Sequence, residues 1–100
     1  MSDHYILEGH KAVPCDLMTW AMWLEKNGKE RIVAKAQFGD VRVSTVFLGL
    51  DYSFGQGPPL LFETLVFEGS HDGDMERCTT WEEAEAQHAA MVARISADTK

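Results

Sequence analysis

The sequence predicts an α+β fold: one antiparallel sheet of about four to six strands, with two helices, about 16–27 and 81–96, packed mainly on one face. Three features carry that expectation. Two long apolar runs, Val41–Leu50 and Leu60–Glu68, are rich in Val, Phe, Leu and Thr and are joined by a Gly/Pro-rich loop. An apolar stripe at helical spacing follows Asp16, and a second one follows Thr80. One hundred residues, 45% of them hydrophobic, make a single domain that can bury a core without disulfide staples.

In chain order, Tyr5–Leu7 and Ala12–Val13 flank Glu8-Gly9-His10-Lys11 and read as a short hairpin ended by Pro14. Asp16 is placed to cap a helix running to Asn27, with Gly28 as a left-handed C-cap residue. Its stripe, Leu17, Trp20, Ala21 and Leu24, is widened by Met18, Met22 and Trp23 until little polar surface remains. That width predicts a helix clamped between the sheet and a second layer; a partner-binding face is the alternative.

Arg31–Phe38 alternates, and Gly39-Asp40 fits a two-residue hairpin turn. The register that follows pairs Phe38 with Val41, Ala36 with Val43, Ala34 with Thr45 and Ile32 with Phe47, all on the core face. Two-sided apolar character in the next strands, with Leu60, Phe62 and Val66 against Leu61, Leu65 and Phe67, marks central strands. Met75–Thr79 reads as a short edge strand, and Thr80-Trp81-Glu82-Glu83 is a capping box opening the last helix. Trp81, Ala84, His88, Met91, Val92 and Ile95 form that helix's apolar stripe.

Charge narrows the function. The net charge is −7, with six acids and six bases in residues 1–50 but ten acids and three bases in 51–100. Binding to a phosphate backbone depends on Lys and Arg, so direct nucleic-acid binding is disfavoured. No eighteen-residue apolar run indicates a membrane span, and the N-terminus lacks a basic-then-apolar leader. Cys15 and Cys78 are expected reduced and packed.

Candidate chemistry is sparse. His71, Asp72, Asp74 and Glu76 lack calcium-loop spacing and read as a solvated turn. Cys15, Cys78, His10 and His71 lack zinc-ligand spacing, so no metal or other cofactor is expected. His88 reads as a hydrogen-bonded core histidine or, alternatively, as half of an acid–base pair with a carboxylate such as Glu63. Glu63, between apolar neighbours, calls for an arginine partner, Arg31 or Arg42, or else faces a ligand cavity. Gly55-Gln56-Gly57 leads into Pro58-Pro59 and a strand, which excludes a phosphate cradle. With no recognisable nucleophile or cofactor loop, an enzyme is not expected.

The strings VSTVFLGLDYSFG, GPPLLFETLVFEG and TTWEEAEAQHAAMV, with YILEGH and DLMTWAMWLE before them, resemble a family of small proteins encoded by tailed phages and prophages. The resemblance covers nearly the whole chain and implies an infected bacterial cell as the setting, with the host cytoplasm as location. It carries no catalytic or ligand residues. The expected function is binding of a host protein, with Asp51, Tyr52, Phe54 and Gln56 of the loop and Glu63 as candidate contacts. A small-molecule or signalling-nucleotide binder around Glu63 and the loop is the alternative; an enzyme using His88 comes third. Finally, about six apolar side chains on the second sheet face would forfeit about 10–15 kcal/mol if left wet. A homodimer closing that face is therefore expected.

Overall fold

The computed structural model describes residues 3–98. Its elements are β1 (His4–Glu8), β2 (Lys11–Cys15), α1 (Leu17–Lys26), β3 (Ile32–Phe38), β4 (Val41–Phe47), β5 (Phe62–Phe67), β6 (Met75–Cys78) and α2 (Trp81–Asp98), with a 3₁₀ turn at Lys29–Arg31. The fold is α+β and antiparallel throughout, as the sequence predicts. The strands divide, however, into a four-stranded meander, β3-β4-β5-β6, and a separate hairpin, β1-β2. A bridge between His4 and Leu50, a Tyr5 N–H donated to Gly49 O at 2.8 Å and an Asp51 N–H donated to Asp3 O at 3.0 Å tie the hairpin to the chain after β4.

Gly39, with φ of 59°, makes the β3–β4 turn, and Phe38–Val41, Ala36–Val43 and Ala34–Thr45 pair as expected. The register then slips. Ile32 faces Val46 instead of Phe47, because an irregularity at Val33 puts an extra residue into β3. Val33 therefore turns toward the core, and Ile32 is left 37% exposed on the other face. The Arg31 Nε donates to Phe47 O at 3.1 Å, holding the strand end where the slip occurs. The long strands end sooner than their apolar composition suggests, at Phe47 and from Phe62. Leu61 and Phe62, neighbours in the chain, are both buried in one cluster, so alternation starts only at Phe62.

α2 lies across the core face of the meander. The capping box forms as the sequence predicts: Glu83 N–H donates to Thr80 Oγ1, and Thr80 N–H to Glu83 Oε1, each at 3.1 Å. The apolar contact has two halves. Phe47, Leu61 and Phe62 gather with Leu7, Trp81 and Ala84 at one end; Val43, Val66, Met91 and Ile95 gather at the other. Between them runs a polar belt. Thr45 Oγ1 lies 2.7 Å from both Thr64 Oγ1 and His88 Nδ1, and Gln87 Nε2 donates to Thr64 Oγ1 at 2.9 Å. Thr45 and Thr64 are completely buried, so the belt satisfies groups that would otherwise be costly inside a core.

Candidate functional site

α1 departs most from expectation. Asp16 caps it, accepting from Thr19 N–H at 2.7 Å, and that bond holds the carboxyl below its ordinary pKa. The helix closes on Asn27, whose N–H donates to Trp23 O at 2.8 Å; Gly28 is right-handed, with φ of −56°, and starts the 3₁₀ turn instead of capping. No residue of α1 is buried. The clamped position is therefore wrong. Only one flank is used: Trp23 meets Phe47 edge-on at 5.7 Å, and Trp20 packs against His4 and over Gly49. Gly49 is needed there, because its φ is +78° and a Cβ would come within 2.7 Å of the Trp20 indole nitrogen.

The surplus apolar residues point outward. Leu17 is 62% exposed, Met18 69% and Met22 52%, with Ala21 exposed between them. At 100° per residue, Leu17, Ala21, Met18 and Met22 share one arc beside the Trp20–Trp23–Leu24 flank, with the exposed Glu25 within it at the C-terminal end of the helix. Methionine is an adaptable side chain over-used at binding surfaces. The stripe that looked too wide for one partner serves the protein's own core on one side and faces solvent on the other.

The 51–59 loop is held by its first residue. Asp51 Oδ1 accepts from Ser53 N–H at 2.8 Å and Leu60 N–H at 3.0 Å, and Tyr52 N–H donates to Leu60 O at 3.1 Å. Burial raises the Asp51 pKa, but those N–H donors outweigh it and leave the carboxyl below its ordinary value. Asp51 is thus a loop brace. Tyr52 folds back beneath Arg77, whose guanidinium lies 4.4 Å from its ring, whereas Phe54 is 82% exposed and left-handed, with φ of 53°. Gln56 is exposed at the loop tip.

Glu63 has its arginine, but a different one. Arg77 of β6 donates from Nε to Glu63 Oε2 at 3.0 Å, directly across the β5–β6 ladder. Arg31 is occupied at Phe47, and Arg42 stacks over Phe67 at 4.4 Å. The cavity beside the loop is lined by Asp3, Leu50, Asp51, Tyr52, Phe54 and Gly55, without Glu63. So Glu63 and Tyr52 come together through Arg77 at one end of the sheet's second face, and Phe54 adjoins only the Tyr52 ring, edge-on at 6.4 Å. Ile32, Val46, Leu65, Phe67 and Met75 share that face with the polar Lys35, Gln37, Arg42 and Ser44, and the contacts of both helices go to the other side. Arg42 and Arg77 lie over aromatic rings, which leaves the apolar patch smaller than a count of side chains implies.

His88 belongs to the opposite, core face and cannot meet Glu63; its partner is Thr45. Thr45 Oγ1 bridges His88 Nδ1 and Thr64 Oγ1, and Gln87 Nε2 donates to Thr64 Oγ1, so the ring nitrogen, both hydroxyls and the amide form one hydrogen-bonded chain. Burial lowers the His88 pKa, favouring the neutral ring. His71 Nδ1 lies 2.9 Å from Asp74 Oδ2 within its turn. Among the described residues, no three His, Cys, Asp or Glu side chains converge as a metal site. Burial, then Glu83 and Glu76, push the Cys78 thiol up to about 11. No described helix is long and apolar enough to cross a membrane.

No protein-family model matches the chain, and no curated protein or solved structure does.

Proposed function

We propose that the protein is a non-enzymatic binding module that acts in a phage-infected or lysogenic bacterial cell by docking onto a host protein through the outer face of α1. The observation that carries this reading is the exposure of Leu17, Met18 and Met22 together on a helix that buries none of its residues. A helix of ten residues is marginal alone, and this one is anchored by two tryptophans while three large apolar side chains stay wet. Such a face suits helix-in-groove recognition. The partner's chemistry follows: an apolar groove for the three side chains, with a basic rim to complement a chain of net charge −7.

The test is affinity capture from the host lysate with the wild type and with Leu17→Ser/Met18→Ser/Met22→Ser. The captured protein is then purified and titrated against both. A stoichiometric complex of the purified pair, weakened at least tenfold by the triple substitution, supports the reading. Equal affinity of both forms refutes the α1 site, and capture of no host protein refutes the function.

The open sheet face favours a second reading, pairing of two copies. Four strands about 4.8 Å apart and six residues long, at about 3.4 Å each, offer about 400 Å2. A stable interface takes about 800 Å2 per partner. The exposed Ile32 and Met75 would pair across a two-fold axis, with the Tyr52–Phe54 loop adding area at one edge. The dimer so formed is weak and concentration-dependent. Light scattering shows it as a mass that rises with concentration; a constant 11.2 kDa refutes it.

A further inference from the structure

The four-stranded meander has two edges, and they differ in reach. β6 offers four residues, whereas β3 runs for seven, Ile32–Phe38. Counting from the two-residue turn, Phe38–Val41, Ala36–Val43 and Ala34–Thr45 are the hydrogen-bonded pairs of the β3–β4 ladder. The N–H and C=O groups of Lys35 and Gln37 therefore point away from β4, out of the sheet. The irregularity at Val33 closes this regular stretch at its far end. Such an edge is a template for one more strand.

The two flanks of the edge decide what that strand must carry. Along one side runs α2, which contacts β3. Its Gln87 and Arg94 reach the opposite edge, where both meet Glu76 of β6. At 100° per residue, Ala89 and Val92 then lie on the flank above β3. Val92, Ala36 and Phe38 are only half-buried, packed against one core cluster. They form an apolar shelf beside the outward main-chain groups. On the other side stand Lys35, Gln37 and Arg42, all exposed. Among the described residues, neither Lys35 nor Arg42 is in an ion pair with a carboxylate. On a chain of net charge −7 this is a positive patch. A second copy is a poor occupant, because two β3 edges would bring the bases of both copies together, and an edge lysine discourages such self-pairing. An acidic strand meets the same side chains favourably.

We infer that β3 accepts an extended acidic segment of a partner protein as a fifth strand of this sheet. The segment's main chain bonds to Lys35 and Gln37. Its side chains opposite those two are carboxylates, drawn to Lys35 and, one strand further in, to Arg42. The alternate side chains are apolar and cover Ala34, Ala36 and Phe38 beside α2. This surface is separate from the outer face of α1 and stands if docking there fails.

Proton–nitrogen spectra of the full chain, with amide exchange read residue by residue, test it. The probes are a soluble peptide alternating valine and glutamate, matched to the seven residues of β3, and its valine–lysine counterpart. In the free chain the Lys35 and Gln37 amides should exchange fast, and the Ala36 amide, bonded to β4, slowly. The glutamate peptide should bind saturably, slow exchange at Lys35 and Gln37, and be released by added salt, while the lysine peptide should not bind. Lys35→Glu, at an exposed position, should weaken the glutamate peptide about fivefold and admit the lysine peptide. Lys35 and Gln37 amides that stay fast at millimolar glutamate peptide overturn the inference. So does equal binding of the two peptides, or a Lys35→Glu chain that keeps the original preference. Protection of those amides that rises with the chain's own concentration would seat a second copy on β3, and slowed exchange at Met75 and Arg77 instead would move the added strand to β6; either result also overturns it.

Discussion

Replacing Thr45 with Val removes one hydroxyl and almost no volume, at a position with no solvent access. It leaves His88 Nδ1 and the Thr64 hydroxyl without the partner they share, since both sit 2.7 Å from Thr45 Oγ1. Each buried polar group so orphaned costs about 1–3 kcal/mol, and the expected loss is about 2–4 kcal/mol. A chain of this size holds about 5–15 kcal/mol in all, so Tm should fall by about 10–20 °C. Thr45→Val/Thr64→Val should cost clearly less than the two single changes added together, because the pair removes its own mutual need. Urea unfolding of the four proteins, wild type included, measures this. A Thr45→Val protein as stable as wild type would mean that the belt is not hydrogen-bonded in solution, and strict additivity would mean that the threonines do not share a bond.

Further predictions follow from the same geometry. The folded-state pKa of His88 is lowered, so the unfolded chain binds more protons just below its ordinary value of about 6.5. Stability should be full above about pH 6.5 and decline as pH falls toward the folded pKa; His88→Gln should flatten that decline in urea titrations at successive pH values. Gly49→Ala combines a strained φ of +78° with a clash against Trp20 and should cost more than 1 kcal/mol on thermal unfolding, whereas Gly55→Ala, at a similar φ in open space, should cost less. Cys78, with its thiol near 11, should resist iodoacetamide at pH 8 in the folded protein and react in urea, as mass spectrometry of the labelled chain would record.

Local signals were readable in the sequence wherever a few adjacent residues decide the outcome. Gly39-Asp40 fixed the hairpin, Thr80 to Glu83 fixed the start of α2, and Asp16 the start of α1. The slip at Val33 was hidden because Ile32 and Val33 are equally apolar, and period-two counting cannot tell which of two neighbours turns inward. α1 misled for a related reason: a wide stripe records how apolar a helix is, not what lies opposite it. Glu63 needed the β5–β6 register before Arg77 became its partner, and the Thr45–Thr64–His88 belt needed three elements stacked together. The His10–Trp81 stack joins the first hairpin to the last helix, and no local pattern announces it.

Docking by α1 is tested most directly by methionine oxidation footprinting of the complex with the purified host partner, read by mass spectrometry. In the free protein, Met18, Met22 and Met75 should oxidise readily, while Met91, fully buried, stays protected. In the complex, Met18 and Met22 should become protected and Met75, on the open sheet face, should keep its free rate. Protection of Met75 with Met18 and Met22 still reactive would contradict the account and move the contact to the sheet.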